Sequence, residues 1–132
     1  MLTRLAEVEI PRGGFIKYTP AGRVDFVSPL PCPFNYGCIP DETSEDGDPL
    51  DAVILGPRLP RGTLVVRRAW GRANFIDAGE ADPKVVLSVE PPTAAQWATV
   101  EAFFRSYAWM KGALNRSRGR TAATRFEGIE RP

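Results

Sequence analysis

The chain has 132 residues, with 17 Lys and Arg against 16 Asp and Glu and a formal net charge of +1. That length points to a single domain, 1–132, and the near-balance of charge gives no basic field of the kind that marks nucleic-acid binding. No apolar run approaches the length of a membrane span, and charges fall too early in residues 1–20 for a signal peptide, so the expected setting is the cytoplasm with no membrane partner.

The 13 prolines and 12 glycines divide the chain into short runs of β type. Residues 6–10 (AEVEI) alternate, with Val8 and Ile10 on one face and Glu7 and Glu9 on the other. Residues 14–19 (GFIKYT) follow a Gly-Gly turn, and 23–27 (RVDFV), 51–55 (DAVIL), 63–70 (TLVVRRAW) and 84–89 (KVVLSV) continue the series of predicted strands. The period then changes to that of a helix. Trp97, Val100, Phe104 and Tyr107 repeat at helical spacing with Phe103, Met110 and Leu114 beside them. Thr93 followed by Gln96 has the form of a capping box, and Gly112 is a stop signal, which predicts an amphipathic helix over 93–111. Residues 124–129 (TRFEGI) are expected to return as a last strand. The pattern is mainly β with one long helix: a small closed or partly closed barrel plus a C-terminal amphipathic helix, whose aromatic stripe is core packing.

The chain contains no histidine and only two cysteines, Cys32 and Cys38. This excludes Ser-His-Asp and Cys-His catalysis and every His-ligated metal site, and it leaves a four-ligand zinc site without partners. The cysteine pair is expected to be reduced and structural. Acid–base chemistry must then rest on carboxylates, Lys, Tyr or metal-activated water.

Carboxylates are densest in the stretch DGDPLD, where Asp46, Asp48 and Asp51 crowd around Gly47 and Pro49. Such density is unfavourable unless the segment is well solvated or a cation relieves it. An EF-hand is ruled out, because the twelfth residue counted from Asp46 is Pro57 and not Glu. A second cluster, DAGEADPK, carries Asp77, Glu80, Asp82 and Lys84, with Asp82 and Lys84 on one face of an extended chain. Glu9 and Lys17 stand at or near the ends of predicted strands. All-oxygen ligands favour Mg²⁺ or Mn²⁺, and lysines beside them suit a phosphate-bearing anion. Taken alone, each cluster reads as an acidic turn in solvent, DGDPLD included.

The order of the pieces VEIPRGGFIKY (8–18), NYGCIP (35–40), DGDPLDAVIL (46–55), PRGTLVVRRAWG (60–71) and FIDAGEADPKVVLSV (75–89) resembles the soluble family I inorganic pyrophosphatases. The D-G-D-P-hydrophobic-D box is highly specific for that family, while FFRSYAWMKG (103–112) and RFEGI (125–129) are looser matches. The resemblance implies an OB-like five-stranded barrel and Mg²⁺-dependent hydrolysis of pyrophosphate to two phosphates by a metal-bridged water, in a homo-oligomer. It implies Asp46, Asp51 and Asp82 as ligands of the tight metal site, Asp77 with Asp82 for a substrate-borne metal, and Glu9 as support for the outer metals. It further implies Asp48 as general base, Lys17 and Lys84 as phosphate ligands, Tyr36 beside the metal-activated water, and Tyr107 as a phosphate-binding tyrosine.

Several family positions differ here. Thr19 replaces an acid, Phe26 an arginine, Cys32 an aromatic hydroxyl, Ala108 a lysine and Ala78 an acid. The metal box is whole, while the phosphate clamp has lost two cations that Arg12, Arg23 or Arg116 could restore. The alternative is therefore a non-catalytic protein with a degenerate site, one that binds a metal or phosphoryl ligand or forms an oligomer.

Overall fold

A computed structural model describes residues 2–18, 24–27, 31–45, 47–119 and 122–131, with backbone alone at 16–18 and 24–27. Asp46, Thr19 and Arg23 lie outside the described residues, as do the side chains of Lys17 and Phe26. The elements in chain order are β1 (Thr3–Ile10), β2 (Ile16–Tyr18), β3 (Val24–Val27), β4 (Asn35–Thr43), β5 (Pro49–Ile54), β6 (Leu64–Asp77), β7 (Glu80–Ala81), β8 (Lys84–Ser88), α1 (Ala94–Ser117) and β9 (Arg125–Glu130).

Strands β1, β4, β5, β8 and β6 pair in that order, and β6 pairs back with β1, which closes a five-strand barrel of OB-like type. β5 and β8 run parallel, β9 and β7 extend β6, and β2 and β3 form a separate ribbon with Lys17 opposite Phe26. The sheet has two cores. Ala6, Val8, Ile39, Ala52, Ile54, Val85 and Leu87 fill the barrel interior. Val53, Leu55, Ala73, Phe75 and Val86 face the other way, against Trp97, Val100, Phe104 and Ala108 of α1. Alternate residues of β5 and β8 thus enter different cores. That is why DAVIL and KVVLSV are continuous apolar runs and not alternating ones.

Three boundaries differ from the sequence expectation. β4 was not anticipated, because its sequence NYGCIPDET carries Gly, Pro and acids. Its pairing with both β1 and β5 makes it a strand, and Gly37 is required there, since a Cβ would overlap the Glu7 carbonyl of β1. β6 continues past Trp70 to Asp77. The helix runs through Gly112, which is buried close to Thr124, and ends at Arg118 and Gly119, the latter in the left-handed region at φ 77°. Its start is as expected: the Gln96 N–H donates to Thr93 Oγ1 at 3.1 Å, and the Thr93 N–H to Gln96 Oε1 at 2.9 Å. Among the described residues, no helix is long and apolar enough to cross a membrane.

Candidate functional site

Three of the side chains predicted for the site are gathered by strand parity. Asp51 is two residues from Val53 on β5, Lys84 two from Val86 on β8, and Asp77 two from Phe75 on β6, so all three project on the helix side of the barrel wall. In the parallel register Asp51 lies directly beside Lys84. The buried Lys84 ammonium donates to Asp51 Oδ2 at 2.7 Å and to Asp82 Oδ2 at 2.7 Å, so the two oxygens are no more than twice that distance apart. Burial works against the charge on Lys84, but the two carboxylates outweigh it and raise its pKa above the ordinary lysine value. The Tyr36 hydroxyl donates to the same Asp51 Oδ2 at 2.8 Å. Burial, followed by the charge of Asp51, raises the Tyr36 pKa far above that of a free tyrosine, so its proton stays in place. Asp51 therefore accepts two hydrogen bonds on one oxygen.

Asp77 forms a second node at the end of β6. Its Oδ1 accepts from Asn115 Nδ2 at 2.9 Å, and its Oδ2 lies 3.9 Å from Lys111 Nζ. Asn115 is 1% exposed and also donates to Thr124 Oγ1 at 3.0 Å. Asp77 and Glu80 bracket a two-residue turn in which Ala78 and Gly79 both have positive φ, at 49° and 85°. Thr124 Oγ1 and the Ala123 carbonyl accept the N–H groups of that turn, at 3.0 Å and 2.8 Å. The segment before β9 thus braces the turn that carries Asp77. Sequence reasoning missed Lys111 and Asn115. The available signal was their spacing from Tyr107, at four and eight residues along one helix face.

The remaining predicted residues stand around these nodes. Tyr107 packs its ring 5.6 Å from Phe75, whose ring centroid is 5.5 Å from Lys84 Nζ. Glu9 occupies the irregular step between Val8 and Ile10 on β1, a place where a strand re-aims a side chain; its Oε1 is shielded from solvent. Asp48 is exposed in the turn before β5, where its carbonyl accepts from the Ser44 N–H at 2.8 Å and Ser44 Oγ at 3.1 Å. Among the described residues no three potential ligands surround one point, and Asp51 and Asp82 are the carboxylates seen to converge. Their oxygens already meet on a cation, the Lys84 ammonium, and such a donor set suits a hard divalent ion.

Two expectations about the clamp change. Arg12 donates to the Gly56 carbonyl at 3.2 Å, beyond the far end of β5 from Asp51, so it is not a replacement clamp residue. Ala108 belongs to the helix-side core, so a lysine there would start from a buried position. The cysteines are unlinked, and burial, partly offset by the Phe34 backbone N–H, raises the Cys32 thiol to about 11.

A family model described as inorganic pyrophosphatase matches residues 6–125. The soluble inorganic pyrophosphatase of Oryza sativa subsp. indica is 41% identical over 87 residues, which are 60% of this chain and 41% of that protein. The inorganic pyrophosphatase of Synechocystis is 30% identical over 122 residues, covering 76% of this chain and 71% of that one. The crystal structure of the inorganic pyrophosphatase from Thermus thermophilus superposes with a TM-score of 0.76 at 26% identity, over 98% of this chain and 82% of that chain. The chain thus spans about two fifths of the length of the rice relative.

Proposed function

Since the chain belongs to the inorganic pyrophosphatase family, we propose that it hydrolyses inorganic pyrophosphate to two phosphates in the cytoplasm, with Mg²⁺, or Mn²⁺ in its place, held by its carboxylates. The observation that carries this reading is the convergence of Asp51 and Asp82 on one cation position, capped by the Tyr36 hydroxyl.

Asp51 and Asp82 would hold the tight metal together with Asp46. Asp77 would hold a second ion with Asp82, and Glu9 would support the outer ions. When bound, the divalent ions supply charge neutralisation of the phosphates and an acidified water. Asp48, exposed beside the box, takes the proton from the attacking water; its access to solvent suits a group that must pass that proton on. Tyr36 keeps its own proton and directs it at Asp51, which fixes the orientation of that carboxylate. Lys84 offsets the charge of two acids, and with a divalent ion held by Asp51 and Asp82 its ammonium would be available to a phosphate oxygen. Lys17 and Tyr107 bind the remaining phosphate oxygens.

Exposed Leu5, Leu64 and Val66 support assembly as a homo-oligomer. Leu5 pairs with Val66, and Leu64 follows on the same face of β6, which makes an apolar strip on the outside of the barrel. A second reading, a chain that binds a phosphoryl ligand without turning it over, is favoured by one observation: the clamp position Ala108 is core.

Phosphate release from pyrophosphate, measured with Mg²⁺ and with chelator, tests the proposal. Mg²⁺-dependent release is expected in the wild type and not in Asp51→Asn. No release with either Mg²⁺ or Mn²⁺ refutes catalysis and leaves the binding role.

A further inference from the structure

We propose that Lys111 is a substrate-binding cation of this chain, placed one helical turn beyond Tyr107 to meet the phosphoryl group that lies against Asp77. This deepens the pyrophosphate reading above and rests on it.

The charge around the site motivates the assignment. Asp51, Asp77 and Asp82 bring three carboxylates to one face, and the buried Lys84 ammonium is committed at 2.7 Å to two of them. A phosphate-bearing anion entering beside those acids needs positive charge from the protein as well as from metal. Tyr107 and Lys111 are four residues apart in α1 and share a helix face. The Tyr107 ring packs 5.6 Å from that of Phe75, whose centroid is 5.5 Å from Lys84 Nζ, which puts this helix face at the edge of the Asp51 cluster.

The second observation is how Asp77 is held. Asn115, buried on the next turn of the same helix, takes Oδ1 at 2.9 Å and leaves Oδ2 toward Lys111. The Lys111 ammonium stands 3.9 Å from that oxygen, well beyond the contact that Lys84 makes. A pair at that distance contributes little to the stability of a fold. At that spacing the ammonium could turn to a phosphoryl oxygen, and Asp77 Oδ2 would then be available to hold a divalent ion. The Lys111 side chain is 19% exposed against 3% for Lys84, so an anion can reach it from solvent. Lys111 thus supplies from α1 a charge that Ala108, packed into the core, does not.

Lys111→Met and Lys111→Arg test this with two readouts. The first is steady-state hydrolysis of pyrophosphate with Mg²⁺. The second is calorimetric binding of methylenediphosphonate, a diphosphate mimic with no bond to hydrolyse. Lys111→Met is expected to raise KM and weaken the mimic by about 10–100-fold, with a smaller fall in kcat. Lys111→Arg should restore most of both, with thermal unfolding followed for each variant. A Met variant with unchanged KM and unchanged mimic affinity overturns the assignment. So does a loss that tracks falling thermal stability and is not recovered by Arg. If the wild type hydrolyses nothing, the catalytic reading fails, and the mimic affinities alone decide Lys111: a weakened Met variant upholds it, while equal or absent binding overturns it.

Discussion

Asp51 and Lys84 lie side by side across the parallel β5–β8 pair, with Lys84 Nζ 2.7 Å from Asp51 Oδ2 and within the same distance of Asp82 Oδ2. A buried ammonium therefore holds together two acids that would otherwise repel.

Removing that ammonium tests the arrangement. Lys84→Met is expected to destabilise the fold by about 3–5 kcal/mol, the usual cost of stripping one partner from a buried pair. Added Mg²⁺ should recover part of the loss, because a cation between Asp51 and Asp82 takes over the compensation. Thermal unfolding with and without Mg²⁺ checks this. A variant as stable as the wild type, or one that Mg²⁺ does not help, would show that the pair does not depend on a cation.

Asp48 is exposed, so Asp48→Asn should leave stability within about 0.5 kcal/mol. As the proposed general base it should nonetheless lower kcat by about 10²–10⁴-fold, with Mg²⁺ affinity retained. Initial rates and calorimetry on the same preparation separate the two effects. Wild-type turnover at neutral pH removes Asp48 from the mechanism.

Alkaline pH should weaken the fold through three groups that act in the same direction. Cys32 is raised by burial from 9.0 to about 11, so above pH 9 the unfolded thiol loses its proton while the native one keeps it. Tyr36 behaves likewise above its ordinary value of 10.0. Lys84, raised above 10.5, keeps in the native state a proton that the unfolded chain gives up. In each case the unfolded state binds fewer protons, so stability falls as pH rises. Urea midpoints should therefore decline from about pH 9 upward. Cys32→Ala should remove the earliest part of the decline, worth at most ~2–3 kcal/mol. Thiol titration after denaturation should count two free thiols.

The apolar strip of Leu5, Leu64 and Val66 should be covered in solution if the chain assembles through it. Val66→Glu would place a charge in the middle of that strip. Light scattering should then report a smaller particle than the wild type at equal concentration, with secondary structure intact. An unchanged mass would move the contact elsewhere.

Much of this molecule was legible from its sequence. Alternation in AEVEI put Val8 in the barrel and Glu7 on its outside, and the Thr93–Gln96 box set the start of the helix. Ile10, expected on the face of Val8, instead joins the helix-side core, because the irregular step at Glu9 breaks the alternation. β4 was not legible, because pairing with β1 and β5 on both sides of Gly37 outweighs the poor β propensity of NYGCIPDET. Gly112 looked like a stop because local signals cannot foresee that Thr124 returns against the helix. The pairing of Asp51 with Lys84 needed three-dimensional register, since 33 residues separate them. Lys111 and Asn115 were hidden for another reason: in a helical stripe dominated by aromatics, two polar residues look like its solvent edge.

Strand β5 changes core with every step, from Val53 on the helix side to Ile54 inside the barrel. A single residue inserted or deleted between 51 and 54 would exchange the two sides beyond that point. It would drive the Asp51 carboxylate into the apolar barrel or push Ala52 and Ile54 out of it. The chemistry and the architecture are thus written in the same reading frame of side chains. Loops can lengthen or shorten around this wall, but the wall itself tolerates only replacement, residue for residue.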